Sequence, residues 1–313
     1  MYQALLIGCG NIGALYDLEN QEVLTHAKAY TQHSSFSLTV FDTDKELETR
    51  IANRYNAAIA KSINEAYLKQ FHCLSICSPT QTHSYWLHMA INAGVPVVIC
   101  EKPVSNNLEE LCALAAAYKQ GNTKILVNYI RRFQPAYMAL KENISEWLKQ
   151  ETLTNVAIRY QRGFINNASH AFDLLQFLFY KPINLEMVQV NQAIYDHFPN
   201  DPTLTLTATW DKASFNAMGL VNVQFSYFEI DLYFHTRKIM ITDAGKTIRI
   251  LNVPVKGAFL QPLTEKEVRK NCIADYMKAV IQNAFILLQG KSTIDNFQQS
   301  VALNKQMLKY INN

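Results

Sequence analysis

Ala4-Leu5-Leu6-Ile7-Gly8-Cys9-Gly10-Asn11-Ile12-Gly13 is the stretch that decides how this chain folds. A run of apolar residues followed at once by Gly-x-Gly-x-x-Gly predicts a buried strand that turns sharply and opens a helix. Each glycine has its own physical task. Gly8 makes the tight turn, Gly10 lets the backbone approach a pyrophosphate, and Gly13 lets helix and strand pack closely. The helix start, with Asn11 and Ile12, would offer amide N–H groups and the positive end of a dipole to the phosphates. The spacing alone is weak evidence. Here it gains weight because it sits between a strand and a helix at the head of a βαβ series.

That series is read outward from the turn. Residues 37–41, 73–77, 96–100 and 124–128 are further runs of nearly continuous apolar character, as expected for parallel strands covered on both faces. Helices are predicted between them at 44–55, 62–70, 82–93 and 108–120. Asn107 with Glu110 forms a capping-box-like start, and Gly94 and Gly121 mark helix ends. The result is an α/β, doubly wound parallel sheet, a Rossmann domain assigned to residues 1–123. Across 125–150 the pattern changes. Residues 202–210 alternate, with Leu204, Leu206 and Ala208 on one side and Thr203, Thr205, Thr207 and Thr209 on the other. Such alternation predicts half-covered antiparallel strands. Further strands are read at 154–162, 185–195, 215–225, 228–235, 238–242 and 246–252, with helices at 134–150, 169–179, 266–289 and 294–311. Residues 124–313 are therefore an α+β domain.

Bulk properties narrow the function. The chain has 313 residues, 49% of them hydrophobic and 18% charged, with a net charge of +3. Such a small, dispersed charge argues against nucleic acid or an anionic membrane surface as partner. No apolar run reaches the roughly 20 residues of a membrane span, and the N-terminus lacks the pattern of a secretory signal. The cysteines at 9, 73, 77, 100, 112 and 272 form no CxxC, so they read as reduced thiols of a cytoplasmic protein. His26, His33, His72, His88, His197 and His235 show no HxxxH or HExxH spacing, and no metal is expected.

Asp42 ends the second strand. A carboxylate there accepts hydrogen bonds from adenine-ribose hydroxyls and repels a 2′-phosphate, so NAD(H) is expected in preference to NADP(H). Asp42 stands further from Gly13 than the roughly 20 residues usual in this motif, which predicts an enlarged loop around Asp17–Thr25. Asp42 also fits the N-cap of the helix at 44–55.

Ser78-Pro79-Thr80-Gln81-Thr82-His83, then Ala93-Gly94-Val95-Pro96-Val97-Val98-Ile99-Cys100-Glu101-Lys102-Pro103, followed by Arg131-Arg132-Phe133-Gln134-Pro135 and His170-x-x-Asp173, resembles the Gfo/Idh/MocA oxidoreductases. The resemblance implies a Rossmann domain followed by a domain with a large open-faced, mostly antiparallel sheet, through which members pair as homodimers or homotetramers. It implies a substrate that is a sugar, a nucleotide sugar or a cyclic polyol. Ser78, Pro79, Thr80 and His83 would line the cofactor, Glu101 would contact the nicotinamide ribose, and Lys102 would lie beside the nicotinamide and the reacting hydroxyl. Arg131 would face the substrate. His170 matches the histidine of a D-x-x-x-H motif, but Asn166 stands where many members have Asp. Asparagine hydrogen-bonds but takes up no proton. The roles expected are His170 as general acid/base, Lys102 as donor to the substrate oxygen and Asn166 as a positioning group. Exchange of the proton roles between His170 and Lys102 stays open. Asp173 reads as a first-turn carboxylate of the helix that carries His170. The Asn166 departure motivates an alternative, a non-catalytic NAD-responsive regulatory protein. A biliverdin-reductase-like reductase of a non-sugar ligand is the other alternative.

Overall fold

In the computed structural model, which describes residues 1–254, 261–291 and 295–312, the chain forms two compact units. The first contains Met1–Phe133 and Asp275–Lys305, the second Gln134–Ala274 and Gln306–Asn313.

The apolar run before Gly8 is the middle of the first sheet. Strand β1 (Tyr2–Ile7) pairs in parallel with β2 (Phe36–Phe41) on one side and β4 (Cys73–Ile76) on the other. With β3 (Ala58–Ile59), β5 (Val97–Cys100) and β6 (Lys124–Val127), the order is β3-β2-β1-β4-β5-β6, all parallel. Ala4, Leu5, Leu6 and every residue of β4 and β5 are buried, which is why these runs read as continuously apolar. The chain winds to one side of β1 for β2 and β3 and to the other for β4, β5 and β6. The switch point therefore lies between the carboxyl ends of β1 and β4, where open α/β sheets take ligands. Connecting helices are α1 (His26–Gln32), α2 (Lys45–Tyr55), α3 (Glu65–Leu68), α4 (His83–Ala93) and α5 (Leu108–Gln120). Their ends follow the sequence signals: the Asn107 side chain accepts from the N–H groups of Glu109 and Glu110, and Gly94 closes α4 at φ +70°.

The division differs from the one expected at residue 123/124. Strand β6, placed by the sequence reading in the second domain, pairs with β5 in the first sheet. Residues 275–305 also return to the first unit, bringing α8 (Tyr276–Leu288) and the larger part of α9 (Phe297–Asn312). The return protects the open edge of β6. The Asn296 side chain donates to Val127 O (2.9 Å) and accepts from Val127 N (2.8 Å), while Asp295 accepts from Ile125 N (3.1 Å).

The second unit is built on an eight-stranded sheet. Its strands are β7 (Leu153–Tyr160), β8 (Glu186–Phe198), β9 (Asp201–Trp210), β10 (Ala213–Gly219), β11 (Phe228–Phe234), β12 (Arg237–Thr242), β13 (Thr247–Asn252) and β14 (Thr264–Arg269). They lie in the order β14-β13-β12-β11-β7-β10-β9-β8, antiparallel except for β7 and β10. Helices α6 (Pro135–Trp147) and α7 (Ser169–Phe179) cover one face, with Phe172 edge-on to Phe215 and Trp147 edge-on to Phe234. On β10 the inward residues Phe215 and Ala217 are buried while Ser214, Asn216 and Met218 are exposed, the half-covered alternation read from the sequence.

Two element readings need correction. The helix expected at 266–289 begins only at Tyr276, because Thr264–Arg269 is edge strand β14, paired with β13. Glu and Lys there favour a helix locally, and sheet pairing overrides that weak preference. The helix expected at 294–311 starts at Phe297; residue 294 lies outside the described residues.

Candidate functional site

In the first unit, the carboxyl ends of the parallel strands carry nearly every residue that the sequence reading singled out. Gly8 follows β1, Asp42 follows β2, Cys77 and Ser78 follow β4, Glu101 and Lys102 follow β5, and Asn128 follows β6.

The three glycines differ in what a side chain would meet. Gly8 has φ +94°, and a Cβ on it would lie 2.6 Å from Ser78 N, so glycine is required by both the turn and the approach of the β4 loop. A Cβ on Gly13 would lie 2.1 Å from Gly8 O, so glycine is required for the turn to close on itself. A Cβ on Gly10 would meet no protein atom within 4 Å, and its φ of −67° suits any residue. Nothing in the protein demands glycine at position 10; the backbone is bare on the side where a pyrophosphate would approach.

From Asn11 the chain makes a five-residue π-turn, Asn11–Leu15, which contains Gly13 and is not the continuous helix expected; α1 starts only at His26. The intervening loop is the enlargement anticipated around Asp17–Thr25. Buried Asp17 closes it by accepting from Leu24 N (2.7 Å), Thr25 N (2.8 Å) and Thr25 Oγ1 (2.8 Å).

Asp42 is not the N-cap of α2; that place is taken by Asp44, which accepts from Glu46 N and Leu47 N. The Asp42 carboxylate instead accepts from Cys9 N (2.6 Å) in the glycine turn and from Asp44 N (2.9 Å). A carboxylate has more acceptor sites than these two bonds use. The Lys45 ammonium is engaged by the Asp42 carbonyl (2.9 Å) and the Glu48 carboxylate (3.0 Å).

Ser78, Pro79 and Thr80 form the turn into α4, braced by Ser78 Oγ to Thr82 Oγ1 (2.6 Å). His83 is buried, with Nδ1 facing Pro103 O (2.8 Å) and Nε2 facing Ser78 O (2.9 Å). It is a strut between the Ser78 turn and the segment after Lys102. Burial depresses its pKa, against the pull of the two carbonyls.

Glu101 heads a buried network that the sequence did not reveal. Its Oε1 faces His26 Nε2 (3.0 Å) and accepts from Asn128 Nδ2 (2.6 Å). His26 Nδ1 faces Ser75 Oγ (2.9 Å), and Ser75 and Cys73 both meet the Tyr30 hydroxyl (2.9 and 3.1 Å). Burial acts to raise the Glu101 carboxyl, but the hydrogen bond and charge of His26, with Asn128 and Lys102, outweigh it and hold the group below its usual range. Lys102 follows, half-buried, and Arg131 is buried in the turn Ile130–Phe133 after β6.

In the second unit, Asn166 lies within one short turn and His170 just after it. Residues Phe164–Ala168 form a π-turn that runs directly into α7, placing His170 as its second residue. Asp201 holds the turn by accepting from Ile165 N (2.7 Å) and Asn166 N (2.8 Å). Gly163 (φ +84°) admits this carboxylate, which lies 2.2 Å from where its Cβ would be. The Asn166 amide donates to Arg162 O (3.1 Å), and the His170 ring stands perpendicular to Phe228 at 6.5 Å. Asp173 lies beyond the first turn of α7, because that helix begins at Ser169; it is buried and accepts from Gln176.

A parallel sheet in this order, with a glycine turn at its switch point, defines the first unit as a dinucleotide-binding Rossmann domain. Residues 2–129 match the model of the Gfo/Idh/MocA family, described as "Oxidoreductase family, NAD-binding Rossmann fold". The chain is 30% identical over 139 residues to Oxidoreductase P35 of Formosa agariphila, covering 44% of this chain and 40% of that protein. It is 27% identical over 142 residues to inositol 2-dehydrogenase of Rhizobium meliloti, covering 45% and 40%. These matches span about two-fifths of the relatives' own length. The fold extends further: UDP-N-acetylglucosamine 3-dehydrogenase GnnA of Acidithiobacillus ferrooxidans superposes with a TM-score of 0.76 at 17% identity, over 99% of this chain and 95% of that one. Among the described residues no helix is long and apolar enough to cross a membrane, and the six cysteines are free thiols.

Proposed function

We propose that the chain is an NAD(H)-dependent oxidoreductase acting on a secondary alcohol or ketone of a sugar, nucleotide sugar or cyclic polyol. The observation that carries the dinucleotide reading is the contrast among the glycines: protein contacts account for Gly8 and Gly13 and leave Gly10 bare. A bound nicotinamide supplies the hydride acceptor or donor. The amides around Gly10, Asn11, Ile12 and Gly13 hold the pyrophosphate, and Asp42 takes the adenine-ribose hydroxyls, which favours NAD(H) over NADP(H). Ser78, Pro79 and Thr80 line the cofactor, with His83 fixing their turn from behind. Glu101, held ionised, takes a hydroxyl of the nicotinamide ribose. His170 removes the hydroxyl proton during oxidation and returns it during reduction, Lys102 donates to the substrate oxygen as it gains alkoxide character, and Asn166 and Arg131 position the substrate. The substrate class is supported by relatives that are named as dehydrogenases of inositol and of UDP-N-acetylglucosamine.

The uncovered face and long edge of the second sheet support a homodimer or homotetramer. Met187 (84% exposed), Tyr195 (57%) and Met218 (51%) leave apolar surface there. Light scattering on the purified chain checks this.

Nicotinamide turnover on nucleotide sugars, free sugars and inositols, run in both directions with NAD(H) and NADP(H), tests the catalytic reading. Turnover with NAD(H) that falls at least 100-fold in both Lys102→Ala and His170→Ala is the expected result. One observation favours the regulatory alternative: the amide at Asn166 is tied to Arg162 O and has no proton to exchange. Tight NAD(H) binding without turnover on the whole panel would replace the enzyme reading with that one.

A further inference from the structure

We propose that His26, Cys77 and Glu101 form a binding site for one thiophilic divalent cation of the zinc type. The three residues are far apart in sequence, but their donor atoms (an imidazole nitrogen, the thiol sulfur and a carboxylate oxygen) all lie within 4.8 Å of one another. Tetrahedral zinc, with bonds of roughly 2.0–2.3 Å, holds its ligands about 3.3–3.7 Å apart. The site therefore needs movements of tenths of an ångström to somewhat over one ångström, chiefly from side chains. One nitrogen, one sulfur and one oxygen also make a set that zinc accepts and that leaves a fourth position for water.

What separates this cluster from a chance meeting is the support behind His26. A metal-binding imidazole needs its other nitrogen protonated and bonded. Nε2 faces the Glu101 carboxylate at 3.0 Å and Nδ1 faces the Ser75 hydroxyl at 2.9 Å, so each ring nitrogen has a hydrogen-bonding partner. With a cation on Nε2, the ring proton must sit on Nδ1. Ser75, Tyr30 and Cys73 permit this, because each hydroxyl or thiol in the row can donate or accept. Turning these groups reverses the whole row, and the ring keeps a partner in either tautomer. The cation displaces the Cys77 thiol proton to solvent, and the thiolate and Glu101 carboxylate together balance its two charges.

The site does not depend on the proposed oxidoreductase activity. A consequence does rest on it: the cation would occupy Glu101 and stiffen the Cys77–Ser78 backbone against which Gly8 packs, so it would oppose dinucleotide binding.

The test is a Co²⁺ titration of the full, reduced, chelator-treated chain without dinucleotide, followed by absorbance. One Co²⁺ per chain, with tetrahedral visible bands and a thiolate-to-cobalt charge-transfer band, is expected. Cys77→Ser should abolish the charge-transfer band, Glu101→Gln should weaken binding at least tenfold, and Cys112→Ser, which removes an exposed thiol elsewhere, should change nothing. A wild-type chain without the charge-transfer band, or a band that survives Cys77→Ser, overturns the site. In a parallel NADH titration, Zn²⁺ should raise the apparent Kd at least fivefold; an unchanged Kd with the cobalt signature intact overturns the consequence and leaves the site standing.

Discussion

Gly10→Ala separates a glycine kept for the fold from one kept for a ligand. In the free protein the new methyl meets nothing within 4 Å, and φ −67° is comfortable for alanine. The substitution also removes a flexible residue from the unfolded chain, worth about 0.4–1 kcal/mol in favour of folding. Thermal stability should therefore hold or rise by roughly 1–4 °C, given roughly 2–4 °C per kcal/mol for chains of 150–250 residues. Dinucleotide binding should suffer, because the methyl stands where the pyrophosphate approaches the backbone. Loss of one charge-assisted hydrogen bond, about 1.5–3 kcal/mol, predicts a Kd for NADH raised roughly 10- to 150-fold. Gly13→Ala gives the opposite pattern: its methyl would sit 2.1 Å from Gly8 O, so the turn must open by about an ångström, at a cost of roughly 1–3 kcal/mol or more. Thermal melts of both variants, with NADH fluorescence titrations, read the two effects independently. Gly10→Ala binding NADH like wild type would refute the reasoning, and so would Gly10→Ala losing as much stability as Gly13→Ala.

Two further predictions concern stability. In the second unit the Tyr160 hydroxyl donates to Leu204 O (2.7 Å) and accepts from Leu204 N (2.9 Å), bridging β7 to β9. Tyr160→Phe leaves both backbone groups buried without that partner and should cost about 1–3 kcal/mol in urea unfolding; a cost below 0.5 kcal/mol would show that the bridge does not matter. His83 answers to pH: burial lowers its folded pKa, so the unfolded chain binds a proton near pH 6.5 that the folded chain refuses. The contribution of this group to stability is whole above that pH and falls as the pH drops below it. The decline in melting temperature from pH 7 to pH 5 should be shallower in His83→Gln, and equal slopes would contradict the assignment.

The first sheet was legible because its information is local. Each parallel strand is buried on both faces, so Cys73–Ile76 and Val97–Cys100 announce themselves as apolar runs, and Asn107 and Gly94 are the caps of α5 and α4 themselves. The same locality explains the misreadings. Thr264–Arg269 carries helix-forming charged residues, and only its pairing with β13 makes it a strand. The return of residues 275–305 to the first unit left a faint trace, the buried polar row Asn296, Ser300 and Asn304. Polar residues at this spacing are ordinarily solvent-facing; here Asn296 is buried against the edge of β6 and Asn304 against the Val104 N–H, which their side chains satisfy.

The candidate site divides along the same line. Gly8, Gly10 and Gly13 were readable because a backbone turn is a property of consecutive residues. Glu101 was readable from its motif, but not the means by which it is held. Its partners His26 and Asn128 come from α1 and the end of β6, and no spacing rule joins positions 26, 77, 101 and 128. In a parallel sheet the residues after each strand are separated in sequence by an entire crossover, yet they gather along one edge. Sequence reading therefore recovers chemistry written within one βα turn and misses chemistry assembled across several. For this chain the cation-site test bears most directly on that second kind, because it asks whether three donors from three crossovers act as one group.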